Sequence, residues 1–331
     1  MALFDLPLEE LHRYRPELSE PADFDAFWAG TLDRAREHEV LEDVVDVETG
    51  LDLVETFDVT FRGHDGAPIR AWYLRPAGAA AKLPVVVEYI GYGGGRGLPL
   101  EHLLWPAAGY AHLVMDTRGQ AGAWGNGGDT VDPGGSGPAA PGSMTRGIED
   151  PSTSYLTRLM TDAARAVDAA RALPGADGRV AVTGNSQGGG LALAAGGLVP
   201  DVDAVMANVP FLCQIRRAID FTDNDPYREI VRFLASNRSK QAAVERTLGY
   251  VDAVHLGRRS RARALFSAAL RDMTCPPSTV FAAFNHWGGA SGTDPERDIE
   301  VYPWNDHEGG AAVQNALQLR WLTERMPVRV G

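Results

Sequence analysis

The chain is poor in cysteine and has no long apolar run, and each lack excludes a class of protein. Its 331 residues include two cysteines, Cys213 and Cys275, which are too few for a disulfide framework. We expect two reduced, mostly buried thiols, and a pairing between them stays open. No stretch is long and apolar enough to cross a bilayer, and residues 1–7 lack the basic and apolar regions of a signal peptide. The expected location is therefore the cytoplasm, with no membrane partner.

Basic residues are also in the minority. There are 31 Lys and Arg against 44 Asp and Glu, which gives a formal net charge of −13. An acidic surface repels phosphates, so a nucleic-acid partner is disfavoured. With 44% hydrophobic and 23% charged residues, the composition is that of a folded, globular chain with a large core. It suits an enzyme that acts on neutral or weakly charged small molecules.

The first third of the chain has the patterns of one helix and an antiparallel sheet edge. Within residues 22–37, Phe24, Phe27 and Trp28 share one helical face. Three short alternating runs follow, with polar turns between the last two, and they are typical of antiparallel strands: residues 44–47, 54–61 and 69–74.

From residue 83 onward, apolar, β-branched runs alternate with helical patterns. This alternation predicts a doubly wound, mostly parallel α/β sheet whose strands are buried on both faces. The predicted strands are 85–90, 112–115, 180–183, 204–207, 264–268 and 299–302. The predicted helices are 155–173, 188–198, 277–287 and 312–325.

Two segments interrupt the alternation. Residues 121–150 are rich in Gly and Pro, and a loop of that length is usually functional or disordered. Residues 211–260 are charged and helical, and we interpret them as an inserted cap or interface element. We expect a single domain over 1–331, in which 1–80 form an N-terminal extension with edge strands.

Ser186 is the candidate nucleophile. It lies in Gly184-Asn185-Ser186-Gln187-Gly188, a G-x-S-x-G motif between a predicted strand and a predicted helix. That context is typical of the nucleophile elbow of the α/β-hydrolase fold, in which a tight turn presents the serine hydroxyl. A glycine-rich turn that happens to contain serine is the alternative.

The base and the acid should follow Ser186 in the order acid, then histidine. Three histidines follow it, and His307 comes just after the last predicted strand, whereas His255 and His286 fall in helical segments. Asp272 follows the preceding strand, where its carboxylate would orient His307. Four other acidic residues in this part of the chain are interpreted as solvated loop residues: Asp294, Asp298, Asp306 and Glu308.

An oxyanion hole needs two N–H donors. Gln187 supplies one directly after the serine. The glycine-rich run 91–97 follows an earlier strand, and we choose the N–H of Tyr92 as the second donor. No Walker lysine follows this run, so a nucleotide site is disfavoured.

These motifs resemble the acetyl xylan esterase and cephalosporin-C deacetylase family, carbohydrate esterase family seven. The resemblance rests on Arg118-Gly119-Gln120, on the motif around Ser186, and on His307-Glu308. It extends from near residue 5 to the C-terminus. Two departures are a longer loop at 287–297, which could alter assembly, and Asn208 at a position that is commonly acidic.

The resemblance implies a cytoplasmic serine esterase that removes acetyl groups from short acetylated sugars and often from cephalosporin C, without metal or cofactor. It implies the triad Ser186, Asp272 and His307, and a doughnut-shaped homo-hexamer. It also implies that Arg118 and Gln120 brace the loops around the site. Other functions considered are a peptidase or a thioesterase on the same fold, and a non-catalytic binding protein on a hydrolase scaffold.

Overall fold

A computed structural model describes residues 4–134 and 141–328 of the chain. Gly135, Gly137 and Pro138 of the predicted long loop, and the first three residues, lie outside this part. One nine-stranded sheet runs through the described residues in the order β1-β2-β3-β5-β4-β6-β7-β8-β9. Its strands are β1 Leu41–Asp46, β2 Val54–Arg62, β3 Pro68–Pro76, β4 Leu83–Tyr89, β5 Ala111–Met115, β6 Ala176–Asn185, β7 Ala204–Asn208, β8 Arg263–Ala269 and β9 Arg297–Tyr302.

The sheet has an antiparallel end and a parallel body. Strands β1, β2, β3 and β5 pair antiparallel to one another, and β5, β4, β6, β7, β8 and β9 run parallel. The parallel strands β5 and β7 are buried along their whole length, as their unbroken apolar sequences predict. The doubly wound, mostly parallel sheet predicted from sequence is therefore confirmed.

Helices cover both faces of the sheet. Along β4, Val85 and Val87 join the large core beneath α4 and α5, whereas Val86 joins a smaller core with Trp105 and Leu322 of α3 and α11. Neighbouring residues of a strand point to opposite faces, which explains this division. The helices are α1 Leu8–Leu11, α2 Phe24–Arg36, α3 Leu104–Ala107, α4 Tyr155–Ala172, α5 Gln187–Leu198, α6 Ile215–Phe221, α7 Tyr227–Ser236, α8 Gln241–Val251, α9 Ala253–Gly257, α10 Pro277–His286 and α11 Ala311–Arg325.

The two predicted interruptions are both present. Residues 211–260 form helices α6–α9 between β7 and β8, as expected for a helical insertion. Residues 121–134 and 141–150 contain turns but neither helix nor strand. One boundary was wrong: Asp298 was placed before the final strand, but β9 begins at Arg297, so Asp298 lies within it.

Two further expectations concern the cysteines and the membrane. Cys213 and Cys275 are both free and buried, which agrees with the expected thiols. Within the described ranges, every helix is too short or too polar to pass through a bilayer.

Candidate active site

Ser186 occupies a sharp turn between β6 and α5. Its φ of 59° and ψ of −118° lie outside the regions that most residues adopt. The turn needs glycine on both sides, because a Cβ on Gly184 would stand 2.4 Å from the backbone of Gly188, and one on Gly188 would stand 2.0 Å from the Tyr89 carbonyl oxygen. The strained turn holds the Ser186 side chain, 7% exposed, at the carboxyl edge of the sheet.

The structure brings His307 and Asp272 to this serine. His307 Nε2 lies 2.9 Å from Ser186 Oγ, and His307 Nδ1 lies 2.8 Å from Asp272 Oδ2. The other Asp272 oxygen accepts hydrogen bonds of 2.8 Å from the N–H groups of Thr274 and Cys275. With Asp272 fully buried and His307 about one-third exposed, the three side chains form a continuous hydrogen-bonded chain in which His307 Nε2 is placed to take the serine proton.

The two chosen oxyanion donors follow the ends of neighbouring strands. Tyr92 follows β4 and Gln187 opens α5 after β6, and these two strands pair in parallel. Gln187 is in the first turn of α5, where N–H groups lack partners within the helix. Two N–H groups directed at the carbonyl oxygen of a bound ester would stabilise its oxyanion.

A cavity of about 400 Å³ opens beside these groups. Segments that are far apart in the chain meet around this cavity. The lining residues are Gly91, Tyr92, Trp124, Asn185, Ser186, Asp225, Pro226, Thr274 and His307. Trp124, Asp225, Pro226 and Thr274 were not singled out from the sequence, because their own segments carry no local motif.

Gln120 connects the two arms of the oxyanion site. Its Nε2 donates to Gln187 Oε1 at 2.9 Å, and its Oε1 accepts from the Gly93 N–H at 2.6 Å. Arg118 lies deeper, where its guanidinium forms a buried two-pronged contact with Asp162 of α4. Gly119 between them has a φ of +62°, a conformation that favours glycine.

Tyr92 is fixed at three points. Its hydroxyl donates to Glu229 of α7 at 2.6 Å and accepts from the Ser143 N–H, and its carbonyl accepts from the Trp124 indole at 2.7 Å. Burial raises the pKa of both Tyr92 and Glu229. Glu229 is separated from Tyr92 by 137 residues, and no sequence pattern links the two.

The rejected candidates lie elsewhere or face away. His255 Nδ1 bonds the Gly249 carbonyl, and His286 Nε2 bonds the Pro16 carbonyl. The four acidic residues interpreted as solvated have local partners. Asp294 pairs with Arg297, Asp298 accepts from Trp321, Asp306 accepts from the His307 N–H, and Glu308 accepts from Asn305.

One group of side chains has the spacing of a metal site. Potential ligand atoms of Asp272, Cys275 and His307 all lie within 4.8 Å of one another. Asp272 and His307 are already hydrogen-bonded to each other, so a bound ion would compete with that bond. The arrangement of Ser186, His307 and Asp272 is suited to nucleophilic chemistry by the serine.

Comparisons with known proteins identify the family. The profile of the family described as acetyl xylan esterase (AXE1) matches residues 1–325. The structure superposes on an acetyl xylan esterase from Paenibacillus sp. R4 with a TM-score of 0.90 and 36% identity, over 97% of this chain and 100% of that one. For acetyl xylan esterase 1 from Thermoanaerobacterium sp. JW/SL YS485 the TM-score is 0.83 and the identity 32%, over 96% and 99%.

A curated relative is more distant in sequence. The acetyl esterase Axe7A of Xylanibacter ruminicola is 27% identical over 330 residues, which cover 94% of this chain and 69% of the relative.

Proposed function

Because the chain belongs to the acetyl xylan esterase family and is thus a carboxylic ester hydrolase, we propose that it is a serine esterase for acetyl groups. In this proposal Ser186 is the nucleophile, His307 the general base and Asp272 the residue that orients His307. The observation that supports it is the hydrogen-bonded chain from Ser186 Oγ through both His307 nitrogens to buried Asp272.

Acylation begins when the Ser186 hydroxyl proton passes to His307 Nε2 and Oγ bonds to the carbonyl carbon. The carbonyl oxygen becomes an oxyanion, which accepts hydrogen bonds from the Tyr92 and Gln187 N–H groups. The ester C–O bond then breaks, and the His307 Nε2 proton goes to the leaving alcohol oxygen. The enzyme now carries an acetyl group on Ser186.

Deacylation repeats these steps with water. His307 Nε2 takes a proton from the water as its oxygen attacks the acetyl carbon. The oxyanion forms at the same two N–H groups, and its collapse breaks the bond to Ser186 Oγ. The His307 proton returns to Oγ, and acetic acid leaves and releases its remaining proton to solvent as acetate forms.

Small acetylated compounds are the proposed substrates: acetylated xylo-oligosaccharides, other sugar acetates and cephalosporin C. The cavity beside Ser186 is about 400 Å³, and Tyr92, Trp124 and Pro226 wall it. A short acyl group fits such a space, and the preference for acetyl is proposed from the family. A carboxylesterase for other small acyl groups, or a thioesterase, is the alternative.

Assembly into a homo-hexamer is a further part of this proposal. The support for it is the family resemblance, and several large apolar side chains are exposed, among them Leu100 at 60%, Trp304 at 77% and Val313 at 67%. Exposed apolar side chains that lie next to one another are typical of protein–protein contacts. Light scattering after size exclusion should give six times the chain mass, and a monomer mass would refute the assembly.

The esterase proposal is tested with p-nitrophenyl acetate, butyrate and octanoate. The wild type should prefer acetate, and its rate should fall steeply with acyl length. Ser186→Ala should lower the acetate rate by on the order of 10⁴-fold or more. A preference for octanoate would refute the acetyl specificity, and activity surviving in Ser186→Ala would refute the triad.

A further inference from the structure

Tyr92 is the meeting point of the two segments that interrupt the alternation of strands and helices. Its hydroxyl donates to Glu229 Oε1 at 2.6 Å, and Glu229 lies in the first turn of α7, within the insertion 211–260. The same hydroxyl accepts from the N–H of Ser143, in the long loop, at 2.5 Å. The proposed mechanism assigns no role to either segment, yet both contact a residue of the oxyanion site.

Both oxygens of the Glu229 carboxylate accept hydrogen bonds. Oε1 accepts from Tyr92, and Oε2 accepts from the Met144 N–H at 3.0 Å. An ionised carboxylate accepts at both oxygens, whereas an amide has one acceptor oxygen and two N–H donors. Because Ser143 donates to the Tyr92 hydroxyl, the hydroxyl proton is directed at Glu229. Glu229 is 3% exposed, so water does not readily replace a lost partner.

Gly142 lets the long loop approach this carboxylate closely. A Cβ on Gly142 would stand 2.1 Å from Glu229 Oε1, and Gly142 has a φ of +111°, a conformation that favours glycine. Any side chain at this position would have to displace the carboxylate. Glu229 is therefore held between the backbone of the long loop and the hydroxyl of Tyr92.

The helix that carries Glu229 is itself tied to the nucleophile turn. Tyr227, at the start of α7, is fully buried and packs against Phe211 with ring centroids 4.1 Å apart. The Phe211 N–H donates to the Ser186 carbonyl at 2.9 Å. These contacts give Glu229 a fixed position relative to Ser186.

The segment that carries Tyr92 has few side chains to fix its backbone. Five of the seven residues 91–97 are glycine, and glycine leaves a backbone conformationally free. Arg96 is held by Asp58 and Asp129, but it lies four residues beyond Tyr92. Among the described residues the Tyr92 N–H donates to no backbone carbonyl, so it is free for a ligand. Its direction therefore depends on where the Tyr92 side chain is held.

We propose that Glu229 is a positioning residue for the oxyanion site: it holds the Tyr92 hydroxyl, and through that side chain it directs the Tyr92 N–H at the oxyanion. The inference rests on the proposed esterase function and on Tyr92 as an oxyanion donor. Glu229 takes no proton in either step. The insertion and the long loop contribute to catalysis without contacting the ester, because their contacts with one carboxylate fix the donor.

The first test breaks the hydroxyl bond and leaves the Tyr92 N–H in place. Tyr92→Phe and Glu229→Gln should each lower kcat for p-nitrophenyl acetate about 10- to 100-fold, since a displaced donor should cost less than the roughly 10²–10³-fold of a removed one. KM should change little, because acylation and deacylation both use the two N–H groups. The double variant should lose no more than the worse single variant, as both changes break the same bond.

A second test displaces the Glu229 carboxylate without changing Glu229. In Gly142→Ala the new methyl group would overlap the carboxylate, and kcat should fall by a similar factor. Gly292→Ala is the matched control, because Gly292 also has a positive φ, of +73°, but an added Cβ would meet no described atom within 4 Å. It should retain the full kcat.

Two further measurements separate positioning from stability. Tyr110→Phe removes a buried hydroxyl that donates to the Met326 carbonyl at 2.9 Å, so it should lower the melting temperature as Tyr92→Phe does, yet leave kcat per active site unchanged. Trifluoroacetone forms a tetrahedral adduct with Ser186 Oγ, in which the former carbonyl oxygen becomes the oxyanion. Its inhibition constant should rise in Glu229→Gln by about the factor by which kcat/KM falls.

The outcomes separate this inference from the esterase proposal. Normal kcat per active site in Tyr92→Phe and Glu229→Gln, even with a lower melting temperature, would overturn the positioning role while leaving the triad intact. Losses that multiply in the double variant would also overturn it. A wild type that does not hydrolyse p-nitrophenyl acetate would refute the esterase proposal, and this inference with it.

Discussion

Asp272 has no contact with solvent and bonds to His307 and to two backbone N–H groups. The carboxylate is therefore held in one orientation, and its remaining oxygen accepts a hydrogen bond from the His307 Nδ1–H group. That bond leaves Nε2 without a proton, as a general base for Ser186 requires. The role proposed for Asp272 thus depends on its charge and on its ability to accept, and not on its size.

Replacing Asp272 by Asn tests this role. The side chain keeps its shape, but its amide can donate to Nδ1 and thus favour the wrong tautomer. We expect kcat for p-nitrophenyl acetate to fall on the order of 10⁴-fold, with a melting temperature close to wild type. Asp294→Asn, at an exposed loop position, is the matched control and should retain full activity. Near-normal activity of Asp272→Asn would remove Asp272 from the triad.

A buried ion pair connects two elements of the fold, α4 and the loop that follows β5. The Arg118 side chain is 1% exposed and its partner Asp162 is fully buried. Asp132 and Arg158 extend the contact into a four-residue network. Gln120 follows two residues later and links the loop to Gln187, so the ion pair supports the position of the oxyanion site.

Removing Arg118 would leave Asp162 as a buried charge without its main partner. Arg118→Ala should therefore reduce the free energy of unfolding by about 3–5 kcal/mol, measured by urea denaturation. Arg171→Ala, in the helix α4 that carries Asp162, removes a surface pair with Asp201 and should cost at most about 1 kcal/mol. Equal losses in the two variants would contradict the structural role of Arg118.

The contact between β4 and the residues before β5 should depend on pH. Glu88 has a pKa below its usual 4.5 and His102 a pKa above its usual 6.5. Glu88 therefore stabilises the fold above pH 4.5, and protonated His102 does so below 6.5, until its own raised pKa is passed. Both contributions are complete between pH 4.5 and 6.5.

Glu88→Gln should lower the melting temperature most in that range and less once the pH exceeds the raised pKa of His102, where this side chain becomes neutral. Glu42→Gln is the control, because its partner Arg62 keeps its charge over this whole range. A loss for Glu88→Gln that does not vary with pH would show that the charge pair contributes little.

The elements themselves were largely predictable. Helix 22–37 and the strand at 204–207 differ from α2 and β7 by at most two residues at either end, because periodicity and buried apolar runs are local signals. Contacts between distant segments were not predictable. The Tyr92–Glu229 bond and the bond from the Gln314 amide to Asn208 Oδ1 join residues more than a hundred positions apart, and both bonds depend on how the sheet folds.

At the scale of the whole molecule, the core shields both cysteine thiols from solvent. Cys213 and Cys275 are buried in it, and burial raises the pKa of both thiols. Since the thiolate is the reactive form, both cysteines should be inert in the native protein.

A thiol titration with an aromatic disulfide reagent tests this. Native protein should react at least about tenfold more slowly than a free thiol, and two thiols per chain should react in denaturant. Rapid reaction of one thiol in native protein would mean that the core opens locally, and the mutation of each cysteine to serine would identify which.

Covalent labelling with a fluorophosphonate tests the catalytic assignment most directly. The proposal predicts a single adduct on the peptide that contains Ser186, loss of acetyl-ester hydrolysis in proportion to labelling, and much slower labelling in His307→Ala. Ser186→Ala should take up no label. An adduct on another serine, or full hydrolytic activity in a completely labelled protein, would contradict the account.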